Sequence, residues 1–326
     1  MIISRTPLRV SFLGGGSDLP AYYREHGGAV LSTTVEQSVY VTVSRKFDNA
    51  VRVSYARTEE VARAADVEHP LVREALALLG IEGGIEITSV ADIPARGTGL
   101  GSSSAFTVGL LNALHAYCGR HASAAQLARE CCEIELTRCG EPIGKQDQYA
   151  AAFGGMNFIR FHPDESVEVK KVICPASVTA DLQGRLIFFY TGVTRSASAL
   201  LARQSAELGR SCAKQSAMAA MVRLAETGFA ELCAGRFDGF GAMLREAWAV
   251  KKEMTSGISS ALIDEAYAAA LSAGAEGGKL LGAGGGGFLM FFAQPSRHDA
   301  IRAALSSLRE VPFRFAREGS GIIFVH

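Results

Sequence analysis

The chain has 326 residues, 48% hydrophobic and 20% charged, enough to bury a large core and more in keeping with two domains than with one. Lysine plus arginine equals aspartate plus glutamate, 33 against 33, so no overall field draws it toward nucleic acid or anionic lipid, although a local basic pocket remains open to it. No apolar run approaches the roughly 20 residues of a membrane helix, and the opening MIISRTPLRVSFLGGG lacks the apolar core and cleavage site of a signal peptide.

The expectation is therefore a soluble, cytoplasmic protein with neither membrane nor nucleic-acid partners. Cys118, Cys131, Cys132, Cys139, Cys174, Cys212 and Cys233 form no C-x-x-C pair and sit mostly in helix-like runs. They read as small buried hydrophobes of a reducing compartment rather than as a disulfide framework or zinc site.

In chain order, LRVSF, AVLSTT, VYVTVS and IEITSV carry the β-branched alternation of strands, with glycine clusters between them. Residues 103–118 read as a helix closed by Gly119, and Ser123 caps another running to about Thr137. A strand-like VKKVICPASV follows, and RLIFFYTG (Arg185 to Gly192) reads as a buried strand that opens a second unit. Helices are expected at about 195–234, 238–255 and 259–273, then the strand FLMFF, a helix near 296–309, and strands at VPFRFA and GIIFV. That order is a split β-α-β layer with helices on one face. The fold class is α+β, with the boundary near 175–185, giving units 1–180 and 181–326.

The stretch PARGTGLGSSSAF, from Pro94 to Phe106, places glycines and serines where a strand hands over to a helix. Glycine lets the backbone approach a ligand closely, and a helix starting there aims unpaired N–H groups and its positive dipole end at that ligand. Such a junction is an anion site, most often for phosphate, and serine hydroxyls there can reach a phosphate-bound Mg²⁺. The spelling excludes a Walker P-loop, the dinucleotide fingerprint and a G-x-S-x-G nucleophile elbow. Taken alone, the loop reads first as an ordinary strand-to-helix turn with a serine N-cap. FLGGGSD (Phe12 to Asp18) and KLLGAGGGGF (Lys279 to Phe288) add two more glycine loops beside strands, which favours a shared ligand site over close packing alone.

Two carboxylates complete the pattern. Glu135 falls, at about 100° per residue, on the same arc as Ala124, Leu127, Ala128 and Cys131, so it is either a core ion-pair partner or a metal ligand. Asp147, between two glutamines in GKQDQYAAAFGG, is either a helix N-cap or a base for an attacking hydroxyl.

With these stretches in order, the chain resembles the GHMP superfamily of small-molecule kinases, PLRVSFLGGGSD, PARGTGLGSSSA and LLGAGGGGF resembling its three motifs. REHGGAVLSTT, TGVTRSAS, EAWAVKKEM and GGKLLGAGGGGF look most like the bacterial D-glycero-D-manno-heptose 7-phosphate kinases, and L-fucose kinases share several of them. The resemblance implies an N-terminal domain like domain 2 of ribosomal protein S5, a C-terminal ferredoxin-like domain, and ATP and sugar in the cleft between them.

By position it implies that Gly97, Gly99, Leu100, Gly101, Ser102, Ser103 and Ser104 cradle the ATP phosphates, with the run Gly284 to Gly287, Gly284 and Gly285 foremost, packed beside them. Ser103 and Glu135 would hold Mg²⁺. Asp147 would take the acceptor's proton, with Arg9 holding it ionised, while Gly16, Ser17 and Asp18 would meet the sugar. Arg96 stands where the family commonly has a glycine. For a phosphate already on the sugar, Arg195, Lys251, Lys252 and Lys279 are candidate cations, Arg195 first among them because it follows the strand end TGVTR. The expected activity is ATP-dependent phosphorylation of a sugar phosphate at its anomeric hydroxyl to give the 1,7-bisphosphate. The rival readings are an L-fucokinase and a non-catalytic sugar and ATP sensor.

Overall fold

The computed structural model describes residues 1–94, 97–194 and 197–326. The first half runs β1 (Ile2–Leu13), α1 (Pro20–His26), β2 (Gly28–Arg45), β3 (Val51–Ser54), β4 (Thr58–Val61), α2 (Pro70–Leu79) and β5 (Ile85–Ala91). It continues through α3 (Ser102–Tyr117), α4 (Ala124–Cys132), a wider π-helical turn at Glu133–Arg138, α5 (Gln146–Phe153), β6 (Met156–Phe161), β7 (Val167–Lys171) and α6 (Ala176–Gly184). The second half runs β8 (Leu186–Tyr190), α7 (Ala197–Leu208), α8 (Cys212–Cys233), α9 (Phe240–Met254), α10 (Ala261–Ser272), β9 (Gly277–Leu280), β10 (Phe288–Phe292), α11 (His298–Ala304), β11 (Arg309–Glu310) and β12 (Gly321–Val325).

Local chemistry sets several of these boundaries. Pro20 and Pro70 open α1 and α2, where a missing N–H costs no helical bond, and Gly80 closes α2 in the left-handed conformation. Ser123 caps α4 as the sequence predicts, accepting from the Gln126 N–H.

Two sheets result. The larger has the order β12-β1-β2-β5-β3-β4, with β6 also paired to β2 and β7 outside it. The smaller is the antiparallel β11-β8-β10-β9. Helix α3 packs on β1 and β2, and so do α8 and α9 from the second half, on β1 and β2 and on β1 respectively. Phe12 of β1 meets Phe240 of α9 edge-on, with ring centroids 5.4 Å apart. Both rings are buried, and each contributes on the order of 1.5–3 kcal/mol by leaving water.

The second half departs from the sequence reading in four ways. The long helix expected over 195–234 is two, α7 and α8, interrupted between Leu208 and Cys212. GIIFV does not join the second layer: as β12 it pairs antiparallel with β1, Ile2 opposite Val325. VPFRFA forms no regular strand, because Pro312 has no N–H for a ladder and the chain is crossing between layers; Ala316 N–H donates to the Thr34 carbonyl and Glu36 N–H to that of Arg314. The short strand β9, inside what reads as a glycine loop, also escaped the sequence.

The cysteines are all free, but of the seven only Cys131 is buried, and Cys212 and Cys233 are exposed. Among the described residues no helix is long and apolar enough to cross a membrane.

Candidate active site

The glycines between β5 and α3 have a geometric cause. Gly99 and Gly101 take φ of +78° and +71°, which side chains rarely adopt. A Cβ on Gly99 would stand 2.4 Å from the Leu281 carbonyl oxygen, and one on Gly101 3.1 Å from Asp147 Oδ2. The loop is therefore bare because another backbone and a carboxylate lie against it. Gly97 is left-handed too, and Arg96, the departure from the family's glycine, lies outside the described residues. Buried Leu100 anchors the loop, its carbonyl accepting from Arg9 N–H at 3.0 Å. Helix α3 starts immediately after Gly101, so the positive end of its dipole points out through this loop.

Asp147 is the second residue of α5, and it does not serve as the N-cap, where Lys145 sits. Arg9 Nε donates to its Oδ1 at 2.7 Å, and Arg9 Nη1 donates to the Gly99 carbonyl at 2.6 Å. One guanidinium thus ties the carboxylate to the glycine loop. Asp147 stays 24% exposed while Arg9 is buried, so the free carboxylate oxygen can reach an arriving group.

Glu135 is placed differently. It is 1% exposed, on the arc the sequence predicts, but within the π-helical turn, where Cys139 N–H reaches the Ile134 carbonyl five residues back. Ser104 Oγ and Gln148 Nε2 each donate to its Oε2 at 2.7 Å, and Thr107 Oγ1 donates to Oε1 at 3.1 Å. Burial pushes the Glu135 carboxyl up to about 7, against the pull of those three donors. Among the described residues no lysine, arginine or histidine pairs with it, so the core ion pair is absent. Its hydroxyl partners are Ser104 and Thr107, whereas Ser103, expected beside it, is exposed. Ser102 is buried at the first position of the helix.

The first glycine loop divides its residues between ligand side and scaffold. Asp18 is buried, with Oδ1 accepting from Gly16 N–H and Gln146 Nε2, both at 2.9 Å, and Oδ2 accepting from Gln146 N–H at 3.2 Å. Burial, with the Asp147 charge, raises its carboxyl above the usual range, against its backbone donors. Ser17, expected to meet the sugar, is turned wholly into the fold; its hydroxyl donates to the Gly14 and Ala29 carbonyls and accepts from Ala29 N–H. Gly16 has φ +103° and lies against Gln204 and Met218. Beside it, a Cβ on Gly15 would meet Ser11 Oγ at 3.3 Å and Gln146 Oε1 at 3.8 Å, two buried atoms without partners among the described residues.

In the third loop Gly284 and Gly285 lie against Ile258, which accepts the Gly285 N–H. The residues that abut the phosphate-type loop are Gly282, whose Cβ would stand 2.3 Å from Gly99 Cα, and Gly287, 2.4 Å from the Thr98 oxygen.

Of the candidate cations, Arg195 lies outside the described residues. Lys252 pairs with Asp264 at 3.4 Å on the surface. Lys279 is buried and donates to the Ser11 and Phe12 carbonyls, both at 2.9 Å, which joins the second sheet to β1. Lys251 is buried near Arg9, Asp18 and Asp147. Sequence reasoning missed Gln146, Gln148 and Thr107; the two glutamines flanking Asp147 were the available signal.

Residues 60–155 match the family model for the N-terminal domain of GHMP kinases, and 229–310 that for the C-terminal domain. The chain belongs to the GHMP kinase family. It is thus an ATP-dependent phosphotransferase. A D-glycero-alpha-D-manno-heptose 7-phosphate kinase from Campylobacter jejuni is 28% identical, over 98% of this chain and 97% of that one. The crystal structure of a D-glycero-D-manno-heptose 1-phosphate kinase from Bacteroides thetaiotaomicron superposes with a TM-score of 0.82 at 26% identity, covering 100% of both chains. An L-fucokinase/L-fucose-1-P guanylyltransferase from Bacteroides fragilis is 26% identical over 94% of this chain but 36% of its own length.

Proposed function

We propose that this GHMP kinase transfers the γ-phosphoryl group of ATP to the anomeric hydroxyl of D-glycero-D-manno-heptose 7-phosphate, in the cytoplasm, giving the 1,7-bisphosphate. The observation that carries the chemistry is the Arg9–Asp147 pair set against Gly99 and Gly101 at the head of α3. The acceptor oxygen bonds to the γ-phosphorus, its proton passes to Asp147, and the bond from phosphorus to ADP breaks with its electron pair on ADP. Arg9 keeps Asp147 aimed, and the N–H groups opening α3 take up charge on the phosphoryl oxygens. Ser11 Oγ and Gln146 Oε1, unpartnered and converging on Gly15, suit the hydroxyls of a sugar.

A buried carboxylate with only neutral donors around it fits a hard cation, and Glu135 with the Ser104 and Thr107 hydroxyls is the donor set we assign to Mg²⁺. When bound, Mg²⁺ would neutralise charge on the ATP phosphates. The heptose phosphate rests on the likeness to the Campylobacter enzyme along nearly the whole chain.

The test is Mg²⁺-dependent ADP release with a panel of heptose 7-phosphate, heptose 1-phosphate, mannose 6-phosphate, L-fucose and galactose. Turnover confined to heptose 7-phosphate is the expected result. Preference for heptose 1-phosphate would move the acceptor hydroxyl away from the anomeric carbon, preference for L-fucose would favour the fucokinase reading, and silence with retained ATP binding would favour a sensor.

A further inference from the structure

Lys251 projects from α9 and is 7% exposed, in surroundings where a long cationic side chain is rarely left without a reason. Its ammonium donates to the Gly282 carbonyl. Gly282 is the residue pressed against Gly99, and the Gly99 carbonyl in turn accepts from Arg9. Two cations therefore hold the carbonyls of two abutting glycine loops, and Arg9 also holds Asp147.

An ammonium has three donors, and among the described residues no second acceptor takes the other two. Lys279 differs, because it ties two donors to the β1 backbone and so has a sufficient structural role. The charged groups facing Lys251 are Arg9 on β1, Lys279 on β9, Asp18 after β1 and Asp147 on α5. Lys251 and Arg9 thus stand with two carboxylates where the two glycine loops abut.

We infer that Lys251 is a catalytic cation that contacts the γ-phosphoryl group in transfer, from the side of the glycine loop opened by Gly282. The inference rests on the transfer chemistry proposed for Asp147 but not on which sugar accepts. Lys251 keeps its proton throughout: the proton that moves goes from the acceptor hydroxyl to Asp147, and ADP leaves with the electron pair. Its role is to spread charge on the phosphoryl oxygens as the bond to ADP lengthens. Burial, and then the Arg9 charge, lower the Lys251 ammonium to about 8, against the opposing pull of Asp18 and Asp147. Because the protonated form is the active one, the alkaline limb of the rate falls as pH rises through about 8.

The experiment is steady-state ADP release by wild type, Lys251→Met and Lys251→Arg between about pH 6 and 10, with melting temperatures recorded alongside. Lys251→Met should lower kcat by about 10²–10³-fold, as loss of one preorganised donor does, with acceptor KM changed a few-fold at most. Lys251→Arg should recover part of kcat and move the alkaline limb upward, since a guanidinium keeps its proton. A Lys251→Met protein with near wild-type kcat, or a Lys251→Arg protein with the limb unmoved, would overturn the inference. If Lys251→Met does not fold, the limb in Lys251→Arg still decides. Wild-type silence on every sugar would sink the proposed function instead, so the two failures are separable.

Discussion

Asp147 and Glu135 belong to one stretch of chain yet occupy opposite electrostatic settings. Asp147 is partly open and has a cation at 2.7 Å; Glu135 is closed off and has only two hydroxyls and an amide. Successive helical residues point about 100° apart, so Asp147 and Gln148 on α5 serve different walls, one meeting Arg9 and the other Glu135. A paired carboxylate is ready to accept a proton from a substrate, whereas a buried one without a counter-ion is a place for a cation to arrive. The difference teaches that burial and partner, more than residue type, assign the roles.

The sharpest way to break this comparison is Asp147→Asn. The amide is isosteric and cannot take the acceptor's proton, so kcat should fall by about 10²–10⁴-fold, the range typical of a lost general base, with KM for ATP little changed. ADP release with the best acceptor measures it. Undiminished kcat would remove Asp147 from the chemistry and leave the Arg9 pair a mere strut.

Next in size is Glu135→Gln, which keeps the shape and removes the charge. If the site holds Mg²⁺, kcat should drop by about 10–100-fold with a higher Mg²⁺ requirement, in line with the loss of a metal-site group, while the melting temperature of the metal-free protein holds or rises, because an uncompensated buried charge is gone. Mg²⁺ titrations of activity, with thermal melts in chelator, give both readouts. A large fall in melting temperature with an unchanged Mg²⁺ requirement would make Glu135 a structural hub.

How much of this was legible follows from what is local. The glycine loops, Arg9 and Asp147 are contiguous motifs, and the arc that buries Glu135 is a property of one helix, so all of them could be read off the chain. The exchange of Ser103 for Ser104 depends on helix phase in the first turn of α3, which composition does not fix. Which glycines of the third loop touch the neighbouring loop, Gly282 and Gly287, depends on the loop's path in space. The pairing of β12 with β1 joins the two ends of the chain, and a short apolar run carries no mark of its distant partner.

The smallest expected effect concerns how Asp147 is held from outside. Two residues before it, Lys145 pairs with Glu165, whose carboxylate also accepts from the Tyr23 hydroxyl and Arg24 Nε, both at 2.6 Å. Glu165 is the only described non-glycine residue with positive φ, +69°, a backbone cost of about 1–3 kcal/mol that its partners must outweigh. The cluster lines a groove of about 810 Å³ that neither Arg9 nor Asp147 borders. Burial raises the Glu165 carboxyl, but hydrogen bonds from Lys145, Tyr23 and Arg24 win and hold it at about 2, below its ordinary 4.5. A depressed carboxyl contributes stability that is present above its ordinary value and lost as pH falls toward 2. Glu165 is 44% exposed, so water screens the network, and Glu165→Gln should cost about 1 kcal/mol or less at neutral pH. The difference in melting temperature from wild type should shrink as pH drops from 4.5 toward 2. Unchanged kcat would show that the helix carrying Asp147 is held by the bonds of Gln146, Asp147 and Gln148 without Glu165; a fall in kcat exceeding the loss of stability would make Glu165 part of how the base is aimed.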